Sequence, residues 1–106
     1  MLKWKTESVI IGTAYDEVLN DALAGMSGKN RVIKFIGSPT ITGLDLRLYR
    51  DAEQIVDVDV TLFTTSFRLL QVDLPLVEGQ LCKAGFKETA GGTGTYKLII
   101  GYEEAD

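Results

Sequence analysis

Apolar and polar side chains alternate with a two-residue period along most of this chain, most clearly between residues 69 and 103. Val72, Leu74 and Leu76 alternate with Asp73 and Pro75. Cys82, Ala84 and Phe86 alternate with Leu81, Lys83, Gly85 and Lys87, and Tyr96, Leu98, Ile100 and Tyr102 with Lys97, Ile99 and Gly101. Turn chemistry at Glu78-Gly79 and at the GGTG stretch 91–94 separates the three runs. Successive side chains on a strand point to opposite faces, so each run presents one face to a core and one to water.

The same rhythm runs through the earlier part of the chain. Residues 3–12 predict a first strand, strongest at Ser8-Val9-Ile10-Ile11. Residues 31–36 predict a strand with Val32, Lys34 and Ile36 on one side and Ile33 and Phe35 on the other, stopped by Gly37-Ser38-Pro39. Leu44, Leu46 and Leu48 alternate with Asp45, Arg47 and Tyr49. After the polar link at 50–53, Val56, Val58, Val60 and Leu62 alternate with Asp57, Asp59 and Thr61, which predicts a hairpin. Residues 13–26 fit two readings. Val18, Leu19, Ala22, Leu23 and Met26 have helical spacing, with Asp16 as cap and Gly25 as stop, for one short helix near residues 16–25. Asn20-Asp21 and the GMSG stretch suit an extended excursion instead. Seven or eight strands with no alternating helices predict an all-β antiparallel sandwich.

With 106 residues, 45% hydrophobic and 25% charged, the chain fits a single globular β-sandwich domain over residues 1–106. The net charge of −4, with basic residues scattered among acidic ones, argues against direct nucleic-acid contact, which needs clustered Lys and Arg. No stretch is apolar for long enough to be a signal peptide or to span a bilayer, which predicts a soluble protein made in a cytoplasm. The acidic end, Glu103-Glu104-Ala105-Asp106, reads as a solvated tail.

Candidate chemistry is sparse. The chain has no histidine, which removes His-based triads and most zinc sites. Cys82 lies in the apolar register and reads as a buried, inert thiol. Asp45, Asp57, Asp59 and Asp73 occupy outward positions where charge keeps a face soluble. Asp16-Glu17 with Asn20-Asp21 is dense enough for weak calcium binding, but lacks the glycine and terminal glutamate of an EF-hand loop. The GGTG stretch has the glycines of a phosphate cradle, yet a strand follows it rather than a helix, as in a hairpin loop. No cofactor, metal or catalytic residue is expected, and the chain does not read as an enzyme.

The segment VDLPLVEGQLCKAGFKETAGGTGTYKLIIGYE resembles the C-terminal strands of single jelly-roll modules in capsid, penton and decoration proteins of viruses of bacteria and archaea. The matching features are Leu74-Pro75-Leu76, Glu78-Gly79-Gln80, the stretch 89–94 and Tyr102-Glu103. GTAYDEVLND, GKNRVIKFIG and GLDLRLYRD are similar to the opening strands of such modules, so the resemblance covers most of the chain; the long basic arm of many members is missing. The resemblance implies a jelly-roll sandwich of about eight strands in a virion structural protein, a capsid or capsid-associated subunit (decoration, penton or spike base). Such a subunit is assembled in the host cytoplasm and self-assembles through strand edges and loops. Its partners would be copies of itself, as a homo-oligomer, and other capsid proteins. Trp4, Tyr49, Phe63 and Phe67 are the candidate subunit-contact residues, with core burial the alternative for each. A β-sandwich module recognising carbohydrate or a host surface is the competing function, although aromatics are only 8% of the chain, with a single Trp to build a platform.

Overall fold

Strands form where the two-residue rhythm is strongest. The computed structural model describes residues 2–24, 30–38, 43–62, 69–77 and 79–104. In these, the strands are β1 (Leu2–Ile11), β2 (Glu17–Ala24), β3 (Arg31–Gly37), β4 (Leu44–Arg50), β5 (Glu53–Asp59), β6 (Leu69–Leu76), β7 (Leu81–Glu88) and β8 (Gly94–Glu104), with one short 3-10 turn, Val60–Leu62, directly after β5. One sheet has the order β1-β8-β3-β6 and the other β2-β7-β4-β5, and every neighbouring pair is antiparallel. The fold is an eight-stranded jelly-roll sandwich.

In this topology only β4 and β5 are consecutive neighbours in one sheet. Their hairpin turns at Asp51, whose φ of 52° lies in the left-handed region that Asp tolerates. Every other connection crosses between sheets. The GGTG stretch is therefore an arch joining β7 in one sheet to β8 in the other, and not the hairpin loop expected from its glycines. Alternation shows that two runs are strands, but not which strand each one pairs with.

The inner faces match the apolar registers. Val9, Ile11, Ile33, Ile36, Leu74, Leu76, Leu98 and Ile100 from one sheet meet Leu44, Leu46, Leu48, Val56, Cys82, Ala84 and Phe86 from the other, all buried. This packing decides the ambiguous stretch: residues 17–24 are strand β2, paired with β7, and not a helix. A bulge between Asp21 and Leu23 shifts the register, so Val18 and Leu23 pair with the inward-facing Phe86 and Cys82. Residue 25 lies outside the described residues. Strand β3 carries a second bulge, between Ile33 and Phe35, which points both Ile33 and Ile36 inward and Phe35 outward. Strict alternation would have put Ile33 and Ile36 on opposite faces.

Gly85 allows β2 to lie close on β7. A Cβ there would sit 1.9 Å from the Val18 carbonyl oxygen and 2.9 Å from the Leu19 Cα.

Candidate interaction surface

The sandwich has two outer faces, and they differ in chemistry. On the β2-β7-β4-β5 face, Arg47 pairs with Glu17 and, at 3.2 Å, with Asp57. Tyr49 donates its hydroxyl hydrogen to Glu17 Oε2 at 3.1 Å and accepts one from Gln54 Nε2 at 2.9 Å. The hydrogen bond to Glu17 holds the Arg47 guanidinium above its ordinary range, assisted by Asp57 and opposed by burial. Tyr49 is thus engaged within its own sheet.

On the same face Asp45 stands opposite Asp59 across the β4–β5 pair. Burial, and then the charges of Asp57 and Asp59, push the Asp45 carboxyl up. Hydrogen bonds from the Thr61 N–H, at 2.9 Å, and the Thr61 hydroxyl, at 2.8 Å, pull Asp59 down. Opposed shifts of this kind can mark an acid and base pair. These two carboxylates, however, lie on an open sheet surface, and neither belongs to either concavity described below.

Glu88 closes one end of the sandwich. Its carboxylate is buried and accepts the N–H groups of Gly91 at 2.6 Å, Ala90 at 2.9 Å and Tyr15 at 3.1 Å, with Gly92 adding a further bond. Burial raises its carboxyl, but the four backbone donors together outweigh this and hold it below the usual carboxylate range. The donors that a phosphate cradle would offer are therefore spent on an internal anion. The same bond fixes Tyr15 at φ 62° and ties the β1–β2 and β7–β8 connections together.

The centre of the β1-β8-β3-β6 face is apolar, with Lys97 and Glu103 toward its two ends. One cross-strand row reads Trp4, Gly101, Phe35 and Gln71, and a neighbouring row Thr6, Ile99, Gly37 and Leu69. The Trp4 ring lies over Gly101, where a Cβ would come within 2.7 Å of it, and stacks beside Phe35 at 6.0 Å between centroids. Trp4 remains 47% exposed and Ile10, on the same strand, 68%. Beside this aromatic ridge runs a groove of about 420 Å³ lined by Thr6, Gly37, Ser38, Leu69, Lys97 and Ile99. Trp4 is the sequence-derived candidate that the fold places on this surface, while Phe63 and Phe67 lie outside the described residues. Phe35, Ile99 and Leu69 were missed from sequence. The available signal was Ile99, an isoleucine in the outward register of β8.

The edges of this sheet are guarded. On β1, Asn20 Nδ2 donates to the Ser8 carbonyl at 2.7 Å, while Lys5 reaches from β1 to the Ala22 carbonyl of β2, an edge strand of the other sheet, at 2.7 Å. On β6, Pro75 has no N–H to offer and Asp73 adopts φ 46°. These devices discourage edge-to-edge pairing.

A second concavity, of about 600 Å³, is lined by Lys5, Asp21, Ala22, Leu23, Leu81 and Tyr102 together with Arg31. Its cations are matched from within: Lys5 with Glu7 at 3.0 Å, and Arg31 with Glu104 at 3.4 Å and over the Tyr102 ring at 5.5 Å. Cys82 is fully buried, and desolvation pushes its thiol up to about 12 against a weaker hydrogen bond from the Leu23 backbone N–H. Among the described residues no group of three or more His, Cys, Asp or Glu is placed to hold a metal, and no helix is long and apolar enough to cross a membrane.

No protein-family model and no curated protein matches the chain. Among solved structures it is similar to the nucleoplasmin-like N-terminal domain of Drosophila FKBP39, at 12% identity and a TM-score of 0.52, over 100% of this chain and 92% of that one. At that identity the likeness is one of fold, a β-sandwich.

Proposed function

We propose that this chain is a structural subunit that works by self-association, in the role of the virion capsid or capsid-associated proteins its sequence resembles. One observation carries the reading: of the two outer faces, one is a self-satisfied lattice of charges and the other a contiguous apolar surface crossed by an exposed Trp. Covering that surface removes Trp4, Phe35, Ile99 and Leu69 from water, and burial of apolar area is the main favourable term in association. Depletion of charge at its centre, with aromatic residues present, is the composition of an interface core. The partners are copies of the chain and, in a virion, the shell proteins around it.

Size-exclusion chromatography with light scattering tests the association, and mass spectrometry of purified particles tests the virion assignment. A chain that stays monomeric at every attainable concentration and joins no particle ends the proposal. The carbohydrate reading draws on one observation, the Trp4 and Phe35 rings side by side on a sheet face. A sugar site also needs polar groups converging on those rings. Gln71 is the polar side chain in that row, and the adjacent row is Thr6, Ile99, Gly37 and Leu69, so self-association is favoured. Specific, Trp4-dependent hits on a glycan array would reverse that preference.

A further inference from the structure

The apolar face is organised about the middle of β8. Lys97 and Glu103 are both exposed and both lie on this face, each three residues from Ile100. The aromatic row runs through position 101 and the groove row through position 99, one residue on either side of the same point. Charge and relief are therefore arranged antisymmetrically about Ile100: a cation and a groove toward one end, an anion and a ridge toward the other.

From this arrangement, and resting on the self-association reading, we infer that two copies pack face to face through their β1-β8-β3-β6 sheets about a two-fold axis crossing β8 at Ile100. An axis lying between the sheets and perpendicular to β8 keeps each strand over its own copy and reverses its direction. Position 97 then faces position 103 of the second copy, and position 99 faces position 101. Each Lys97 meets a Glu103, giving two opposite-charge pairs per dimer. The Phe35 ring enters the space over Gly37 of the second copy, and the Trp4 ring settles on its Thr6 and Ile99. The sheets of such a pair lie ~10 Å apart with their strands within ~30° of one another, the geometry of packed sheets within domains.

The alternative occupants fit less well. An extended peptide added at an edge is opposed by the guarded edges of β1 and β6. The charged outer face of the other sheet cannot serve as the partner surface without breaking the Arg47, Glu17 and Tyr49 lattice. The area limits the strength of the contact. Four strands ~4.8 Å apart and seven residues at ~3.3 Å each outline a face on the order of 400 Å². That is about half of the ~800 Å² per partner of a standard interface, so the dimer is weak alone and its test belongs at high protein concentration.

The experiment is a charge swap read by sedimentation equilibrium. Lys97→Glu and Glu103→Lys each place two like-charged pairs across the axis and should weaken association by about tenfold or more. The double variant, Lys97→Glu with Glu103→Lys, restores both pairs with exchanged signs and should return to within a few-fold of the parent. Thr6→Arg, which obstructs the groove at an exposed position, should weaken association without rescue by the swap. A parent chain that never self-associates overturns this dimer and the self-association reading together. Association that ignores both single reversals, or a double variant as weak as the singles, overturns the two-fold arrangement alone.

Discussion

Removal of the Phe86 ring tests whether the sandwich is held by its interior. Phe86 is fully buried at the centre of the β2-β7-β4-β5 sheet, between Val18 and Leu46, and meets Tyr96 of the opposite sheet edge to face, 6.2 Å between centroids and 68° between planes. Phe86→Ala deletes the largest fully buried side chain among the described residues and leaves a cavity that flanking strands cannot close, a loss of about 3–5 kcal/mol. For a domain with total stability of about 5–15 kcal/mol that is about a fifth or more of the whole. At ~4 °C per kcal/mol for a chain of this size, Tm falls by about 12 °C or more. Phe86→Leu, which keeps most of the volume, should cost only ~1.5 kcal/mol. The contrasting change is Arg47→Ala, which breaks two ion pairs on the open face, each worth about 1 kcal/mol or less. Urea unfolding followed by far-ultraviolet circular dichroism reads all three, with an unchanged slope confirming that the unfolded reference is the same. A cycle with Tyr96→Leu should return a coupling of about 0.5–1.5 kcal/mol. If Arg47→Ala proves more damaging than Phe86→Ala, the inner faces do not hold the fold and the assignment of core and surface is wrong.

Gly85→Ala should lose about 1–3 kcal/mol or more in thermal melts, because the Cβ meets backbone atoms of Val18 and Leu19 that cannot rotate away. Gly12→Ala, where nothing lies within 4 Å, should stay within about 0.5 kcal/mol, and equal effects at the two sites would refute the close approach of β2. Glu88→Gln should destabilise the chain at neutral pH, since an amide nitrogen cannot accept the N–H groups the carboxylate holds. The sign follows from the lowered folded-state value. The Glu88 contribution is complete above the unfolded carboxyl value near 4.5 and is lost as pH falls through the lower value in the folded chain. The parent and Glu88→Gln melting curves should therefore converge on acidification, and a gap that widens toward low pH would contradict the clasp. Cys82 should resist a thiol reagent at neutral pH until the chain unfolds, since its thiol is buried and pushed up to about 12; rapid labelling of the native protein would show the β2–β7 seam to be open.

Much of this architecture is written in local alternation. Val72, Leu74 and Leu76, then Cys82, Ala84 and Phe86, then Leu98 and Ile100 point inward as their period predicts, because a strand has only two faces and one of them must leave water. What alternation does not encode is partnership. The arch at 91–94 looks like a hairpin in sequence because glycine-rich tips serve both. The competing helical spacing of Val18, Leu19, Ala22 and Leu23 is settled only by the pairing of β2 with β7 and the bulge beside Leu23. The apolar outer face is likewise a tertiary product. Trp4, Phe35, Ile99 and Leu69 come from four strands dispersed through the chain and meet only when the sheet order brings them together, Phe35 facing outward because a bulge in β3 shifts its register. Outside residues 13–26, the bulged part of β3 and the 3-10 turn at Val60–Leu62, local alternation alone marks which residues form strands and which faces seek a core, since both depend on neighbours one or two positions away. Strand order, the Glu88 clasp and the apolar face depend on contacts between residues far apart in the chain, and only the folded structure decides those.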